Sequence, residues 1–167
     1  MKTESTLKQD EIVLHKTLAK KYGNIRETSL YYIFFNDYWL KLFKSMLPRR
    51  KFKKALDLGC GTVEFYEFIT KSVGASYTGS DLSPDMLKVG AKKYPKAVLV
   101  EADAEKMPFK DGSFDFVMTR GLIHHLPNPE KGIAESYRIL EKGGYFLVSE
   151  PHSNIFLYYA RKLFYKK

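Results

Sequence analysis

Cysteine occurs once in 167 residues, at Cys60, which excludes a disulfide within the chain and points to a reducing compartment. The N-terminus, Met1-Lys2-Thr3-Glu4, runs into polar residues and lacks the apolar core of a signal segment. Nor is there a hydrophobic run of bilayer length: the most apolar region, Leu30 to Phe43, is interrupted by Asn36, Asp37 and Lys41. Internal repeats and low-complexity tracts are absent. Acidic residues are in deficit, 19 against 28 basic, giving a net charge of +9 and a pI near 9.4. That balance suits an acidic partner, either nucleic acid or an anionic membrane surface. The lysines are scattered over predicted helix faces, however. The densest cluster, Arg49-Arg50-Lys51 with Lys53-Lys54, carries no interleaved aromatics, so nucleic acid is not an expected partner. The length fits one domain with a substantial core, and the expected location is cytoplasmic.

What is present centres on Ala55-Leu56-Asp57-Leu58-Gly59-Cys60-Gly61-Thr62-Val63-Glu64-Phe65. It opens as a short apolar run of strand length and closes in a helical pattern, with Phe65, Phe68 and Ile69 at i, i+3, i+4. Between lies a turn holding Gly59 and Gly61, where glycine lets a ligand approach the main chain. A strand passing through a Gly-rich turn into a helix N-terminus is a recurrent cradle for nucleotide-like ligands. Asp57 narrows the choice, because a carboxylate there repels a pyrophosphate and tolerates a cationic centre or an ammonium.

In chain order, residues 7–22 read as a polar helix with Leu7, Leu14 and Leu18 as apolar points, followed by a break over Gly23 to Thr28. Ser29 to Leu47 reads as a second helix, with Phe35, Trp39, Leu42, Phe43 and Met46 at helical spacing. Packing on the core is the favoured role for its aromatics. The alternative is a lid that turns Tyr22, Tyr31 or Tyr32 to a ligand. After the central strand come a helix over 62–72, a strand from Ala75 to Asp81, and a helix capped by Ser83 with Pro84 at its first position. Strands follow at Ala97 to Val100 and Phe114 to Met118, the second preceded by an Asp111-Gly112 turn. Asn128-Pro129 starts a helix with Ile133, Tyr137 and Leu140 on one face, closed by Gly143-Gly144, and Tyr145 to Ser149 is the fifth strand. Strands alternating with helices predict an α/β fold with a parallel sheet.

In such a sheet the ligand lies outside the carboxyl ends of the strands. Asp57, Asp81, Asp103 and Arg120 all fall at or just past those ends. Asp81 follows the glycine turn by about twenty residues, the offset of a carboxylate that accepts both hydroxyls of a ribose. Asp103, with the backbone of Ala104, suits the amino edge of an adenine. Capping or solvated surface explains any one of these acids, but three in register at successive strand ends make that account poor.

Leu56-Asp57-Leu58-Gly59-Cys60-Gly61-Thr62 resembles the glycine signature of class I S-adenosylmethionine-dependent methyltransferases. Ser80-Asp81-Leu82-Ser83-Pro84-Asp85-Met86-Leu87 is similar to that family's second signature. Ala102 to Phe109 with Ser113-Phe114-Asp115 resembles its adenine-edge segment and fourth strand, and Leu140-Glu141-Lys142-Gly143-Gly144 its approach to strand five. The resemblance covers roughly residues 52 to 150. It implies a Rossmann-like sheet of five strands in the order 3-2-1-4-5, residues 51–150, beneath a helical cap over 1–50, with 151–167 a C-terminal helical segment. It implies S-adenosyl-L-methionine as cofactor, S-adenosyl-L-homocysteine as product, and a small-molecule acceptor. By the resemblance, Gly59, Cys60 and Gly61 lie against the methionine part and Asp57 near its ammonium. Asp81 takes the ribose, Leu82 packs on the adenine, and Asp103 and Ala104 read its edge.

Two departures stand out. Val63 occupies the place of the family's third glycine, where a β-branched residue resists positive φ and adds bulk expected beside the ligand. The family's sheet also continues with an antiparallel strand pair that is missing before Lys167. A truncated chain is therefore expected, or an exposed sheet edge covered by the last helix or by a second copy. Methyl transfer asks mainly for alignment and water exclusion. Candidates for a base are His124 and His125, with His152 further along, although loop histidines packing near Leu126-Pro127 are the favoured reading. Arg120 reads equally as a partner for a ligand carboxylate and as a surface cation. No metal site is expected. The competing functions are a non-catalytic cofactor-binding or interaction protein and a dinucleotide-dependent oxidoreductase.

Overall fold

The computed structural model describes residues 3–150, apart from the side chains at positions 17 and 20–27. Five strands form one wholly parallel sheet in the order β3-β2-β1-β4-β5. They are β1 (Lys54–Leu58), β2 (Ser76–Asp81), β3 (Val98–Glu101), β4 (Phe114–Arg120) and β5 (Leu140–Ser149). The predicted order is the observed one. β1 and β4 are central and buried on both faces, which is why they read as near-continuous apolar runs. One face carries Ala55, Phe116 and Met118 into a core with Phe43, Phe68 and Ile69; the other carries Leu56, Leu58 and Val117 toward Phe114 and Ile139.

Helix α1 (Glu4–Thr28) is continuous through the expected break, since a glycine at position 23 costs a helix only about 1 kcal/mol. The interruption falls at Ser29, and α2 (Leu30–Met46) follows. α3 (Pro84–Lys93) is capped as expected, its Met86 N–H donating to Ser83 Oγ at 3.4 Å. α4 (Pro129–Ile139) starts from Asn128, whose Oδ1 accepts from the Lys131 N–H at 3.1 Å.

Three segments differ from expectation. The chain over Gly61 to Phe65 turns rather than entering a helix, and a six-residue π-helix, Phe68–Val73, follows, with the Gly74 N–H reaching back to the Ile69 carbonyl at 2.9 Å. β5 begins at Leu140, and Gly143-Gly144 lies in an irregularity within it, where pairing jumps from Phe114↔Leu140 to Phe116↔Tyr145. α4 buries Gly132, Ser136 and Ile139 and leaves Ile133 and Tyr137 exposed, the reverse of the face expected from its large apolar residues. The segment 151–167, His152 included, lies outside the described residues. Among the described residues no helix is long and apolar enough to cross a membrane.

Candidate functional site

The turn after β1 is stitched to the end of β2. Gly59 and Cys60 both donate their N–H to the Ser80 carbonyl, at 2.8 and 2.9 Å, and the Gly61 N–H donates to Asp81 Oδ2 at 2.8 Å. Gly59 and Gly61 have φ of 71° and 51°, and the space where a Cβ on Gly61 would stand is open. Above them a cavity of about 210 Å³ opens at the carboxyl ends of the strands. Its floor and one wall are Gly59, Cys60, Gly61, Asp81 and Leu82; Asp103, Ala104 and Arg120 complete the sides. That volume lies below the roughly 300–1,000 Å³ usual for ligand pockets. The reason is α1, which leans Leu7, Lys8, Glu11, Ile12 and His15 into the mouth. The lid is therefore this helix: Tyr31 and Tyr32 of α2 are exposed and do not line the cavity, and the Tyr22 side chain lies outside the described residues.

Asp81 is buried, and burial pushes its carboxyl up against the opposing pull of the Ser83 and Gly61 N–H groups. The Ser83 N–H donates to Oδ1 and the Gly61 N–H to Oδ2, both at 2.8 Å. A carboxylate offers about four lone-pair sites, so one on each oxygen is left for a ligand's donors. Asp103 receives the Glu105 N–H on Oδ1 at 2.9 Å and Lys8 Nζ on Oδ2 at 2.8 Å. The same ammonium lies 2.8 Å from Glu105 Oε2 and Glu4 Oε1. Burial opposes the charge on Lys8, yet these three partners raise its ammonium well above the ordinary range.

Asp57 is not brought to the cavity. It lies beneath the floor, 1% exposed, accepting a hydrogen bond from Tyr77 Oη at 2.8 Å. Register places Gly79 opposite Asp57, and a Cβ on Gly79 would stand 2.7 Å from Tyr77 Oη, so the missing side chain opens the phenol's path. Burial raises the Asp57 carboxyl to about 7, with the Tyr77 hydrogen bond pulling the other way. Cys60 lines the cavity but is buried, which pushes its thiol up and keeps it un-ionised. Arg120 lines the cavity, lies over the Phe65 ring at 4.7 Å, and donates to Glu64 Oε2 at 2.7 Å and to Asn36 Oδ1 at 3.3 Å. The two histidines separate: His124 Nδ1 lies 2.6 Å from Glu150 Oε2 and away from the cavity, whereas His125 lines it. Val63 has φ of 66°, yet its side chain is fully buried against α3 and absent from the cavity wall. The bulk expected beside the ligand is instead in the core.

Sequence reading missed Lys8, Glu11 and His15. Their spacing of three to four residues places them on one side of a helix, but polar residues give no hydrophobic periodicity to follow.

A model of the methyltransferase domain matches residues 56–148, more than half of the chain. The chain belongs to the methyltransferase-domain family. Among similar proteins, a demethylmenaquinone methyltransferase of Chlorobaculum tepidum is 36% identical over 120 residues, covering 70% of this chain and 50% of that protein. This methyltransferase-domain chain thus spans about half the length of curated relatives it matches. Its fold is shared with a Methanococcus maripaludis structure, TM-score 0.70 at 20% identity, covering 89% of this chain and 69% of that one. A SAM-dependent methyltransferase of Thermotoga maritima superposes with TM-score 0.64 at 27% identity, covering 80% of this chain and 58% of that one. Family and fold imply use of S-adenosylmethionine, and the residues present fit it. The acceptor sites remaining on Asp81 suit a pair of ribose hydroxyls, and the open face of Gly61 admits close approach.

Proposed function

We propose that this chain transfers a methyl group from S-adenosyl-L-methionine to a small-molecule acceptor. The observation that supports this most strongly is the buried carboxylate of Asp81 at the tip of β2, with acceptor capacity remaining on both oxygens beside an open glycine turn. In this reading Asp81 holds the ribose, Leu82 packs on the adenine, Asp103 and Ala104 face its edge, and Gly59 to Gly61 support the methionine part. Asp57 acts from below, through the strand, and not as a direct ligand. The cofactor supplies an electrophilic methyl group with its own leaving group. The protein supplies orientation and exclusion of water, and α1 is placed to do the second.

The acceptor class we infer is a quinol with an apolar body. Relatives named as demethylmenaquinone methyltransferases support it. So does α2, which exposes Leu30, Tyr31, Phe34 and Tyr38 beside Lys41, Lys44 and the basic run from Arg49. An aromatic face flanked by cations suits an acceptor delivered from an anionic membrane surface. The test is incubation of the chain with S-adenosylmethionine and a reduced short-chain demethylmenaquinone, read by mass spectrometry. A methylated quinol formed together with S-adenosylhomocysteine is expected. Binding of S-adenosylhomocysteine without transfer to this or a wider acceptor panel would favour the non-catalytic reading.

A further inference from the structure

Among the described residues lining the cavity, Glu11 and Ser80 each carry a buried side-chain oxygen without a hydrogen bond. Glu11 Oε1 is shielded from solvent and makes no hydrogen bond among the described residues. It stands 3.2 Å from His15 Nε2 and 3.3 Å from His125 Nδ1, and all three side chains line the cavity. α1 provides Glu11 and His15 one turn apart, while His125 is the last residue of a short 3-10 helix, Ile123–His125, after β4. Ionisable groups around them include Asp81, whose carboxyl senses both Glu11 and His15, Lys8, one turn before Glu11 and also lining the cavity, and His124, whose ring centroid is 4.0 Å from that of His125. His124 is itself held by Glu150.

We propose that Glu11 is a positioning residue for His125. Its Oε1 takes the Nδ1–H of His125, which leaves Nε2 unprotonated as the base for the acceptor's hydroxyl; this rests on the methyl-transfer reading above. The second ring nitrogen of an imidazole is a base only when the first carries the proton, and a neighbouring carboxylate decides which does. A phenolic hydroxyl ionises near 10, so a quinol needs such a group at neutral pH. In the step, the acceptor's O–H bond breaks, its proton joins Nε2, and the electron pair stays on the acceptor oxygen. His125 is half-exposed and returns the proton to water. Contacts of 3.2 and 3.3 Å with poor alignment are what an open site shows before ligands tighten it. His15, on the same oxygen, holds the Glu11 side chain in place. The cap helix thus carries part of the proton-transfer apparatus as well as closing the mouth.

The test compares the full chain with Glu11→Met, which keeps volume and removes the acceptor. Long-range proton–nitrogen NMR of ¹⁵N-histidine reads the tautomer of His125 without any ligand. The Nδ1–H form is expected in the wild type and a shift toward Nε2–H in Glu11→Met. With the quinol acceptor, kcat is expected to fall about 100-fold, the usual contribution of a positioned base. Acceptor KM and S-adenosylhomocysteine affinity should hold, and Glu11→Asp should recover part of the rate. An unchanged His125 tautomer or an unchanged kcat in Glu11→Met overturns the proposal. Failure of the wild type to bind S-adenosylhomocysteine would instead remove the methyl-transfer reading beneath it, and leave the tautomer shift standing.

Discussion

Val63 and Gly90 are two halves of one contact. Val63, at the end of the glycine turn, holds φ of 66°, and a Cβ on Gly90 of α3 would overlap Val63 Cγ2. A β-branched residue in the left-handed region costs roughly 1–3 kcal/mol, so surrounding packing must enforce the turn. Gly90→Ala should cost about 1–3 kcal/mol by overpacking. In a Val63→Gly background most of that cost should disappear, leaving only the Thr62 carbonyl carbon within 3.3 Å of the new Cβ. Denaturant unfolding of the four proteins in the cycle measures this. An equal cost of Gly90→Ala in both backgrounds would show that the contact does not govern either residue.

Asp57 gives the fold a pH dependence of unusual sign. Its carboxyl is raised from 3.8 to about 7, first by burial, against the pull of Tyr77. Between those values the folded chain holds a proton that the unfolded chain has released. Stability therefore falls as pH rises from about 4 to about 7, by a few kcal/mol in total. Asp57→Asn keeps an acceptor for Tyr77 and should flatten that slope. Urea midpoints at pH 5 and 7.5 provide the comparison; a slope identical to wild type would place the titration elsewhere.

Lys8 fastens the lid. Its ammonium faces three carboxylates, of which the Glu105 side chain is only 1% exposed. Lys8→Met keeps the apolar stem and strands a buried carboxylate, so a loss of about 3 kcal/mol is expected. Faster amide exchange in the first turns of α1 should accompany it. Adding Glu105→Gln removes the stranded charge and should restore much of the stability; a double variant as unstable as the single one would refute this account.

The strands, the glycine turn and the acids at the strand tips were legible in the residues, because buried parallel strands are apolar runs and their ends carry the ligand chemistry, whereas the strand order came from the family resemblance. Helix faces were harder. α4 approaches its neighbours through Gly132 and Ser136, whose hydroxyl satisfies itself on the Gly132 carbonyl at 2.8 Å, so large apolar residues mark its outer side. α1 docks through Lys8, Glu11, Ile12 and His15 while Leu14 stays about half exposed. Charge pairing with distant acids leaves no periodic trace. The turn at Gly61 to Phe65 read as helix because its strain lies in a backbone angle at Val63 that the side-chain pattern does not reveal.

The adenosyl assignment is tested most directly by calorimetric titration of S-adenosylhomocysteine into the wild type and Asp81→Asn. The asparagine keeps the shape and one acceptor while losing the charge. The wild type should bind, and the variant, folded by circular dichroism, should bind on the order of 100-fold more weakly, as expected for losing charge-assisted bonds to two hydroxyls. Equal affinities in the two proteins, or no binding by either, would contradict it.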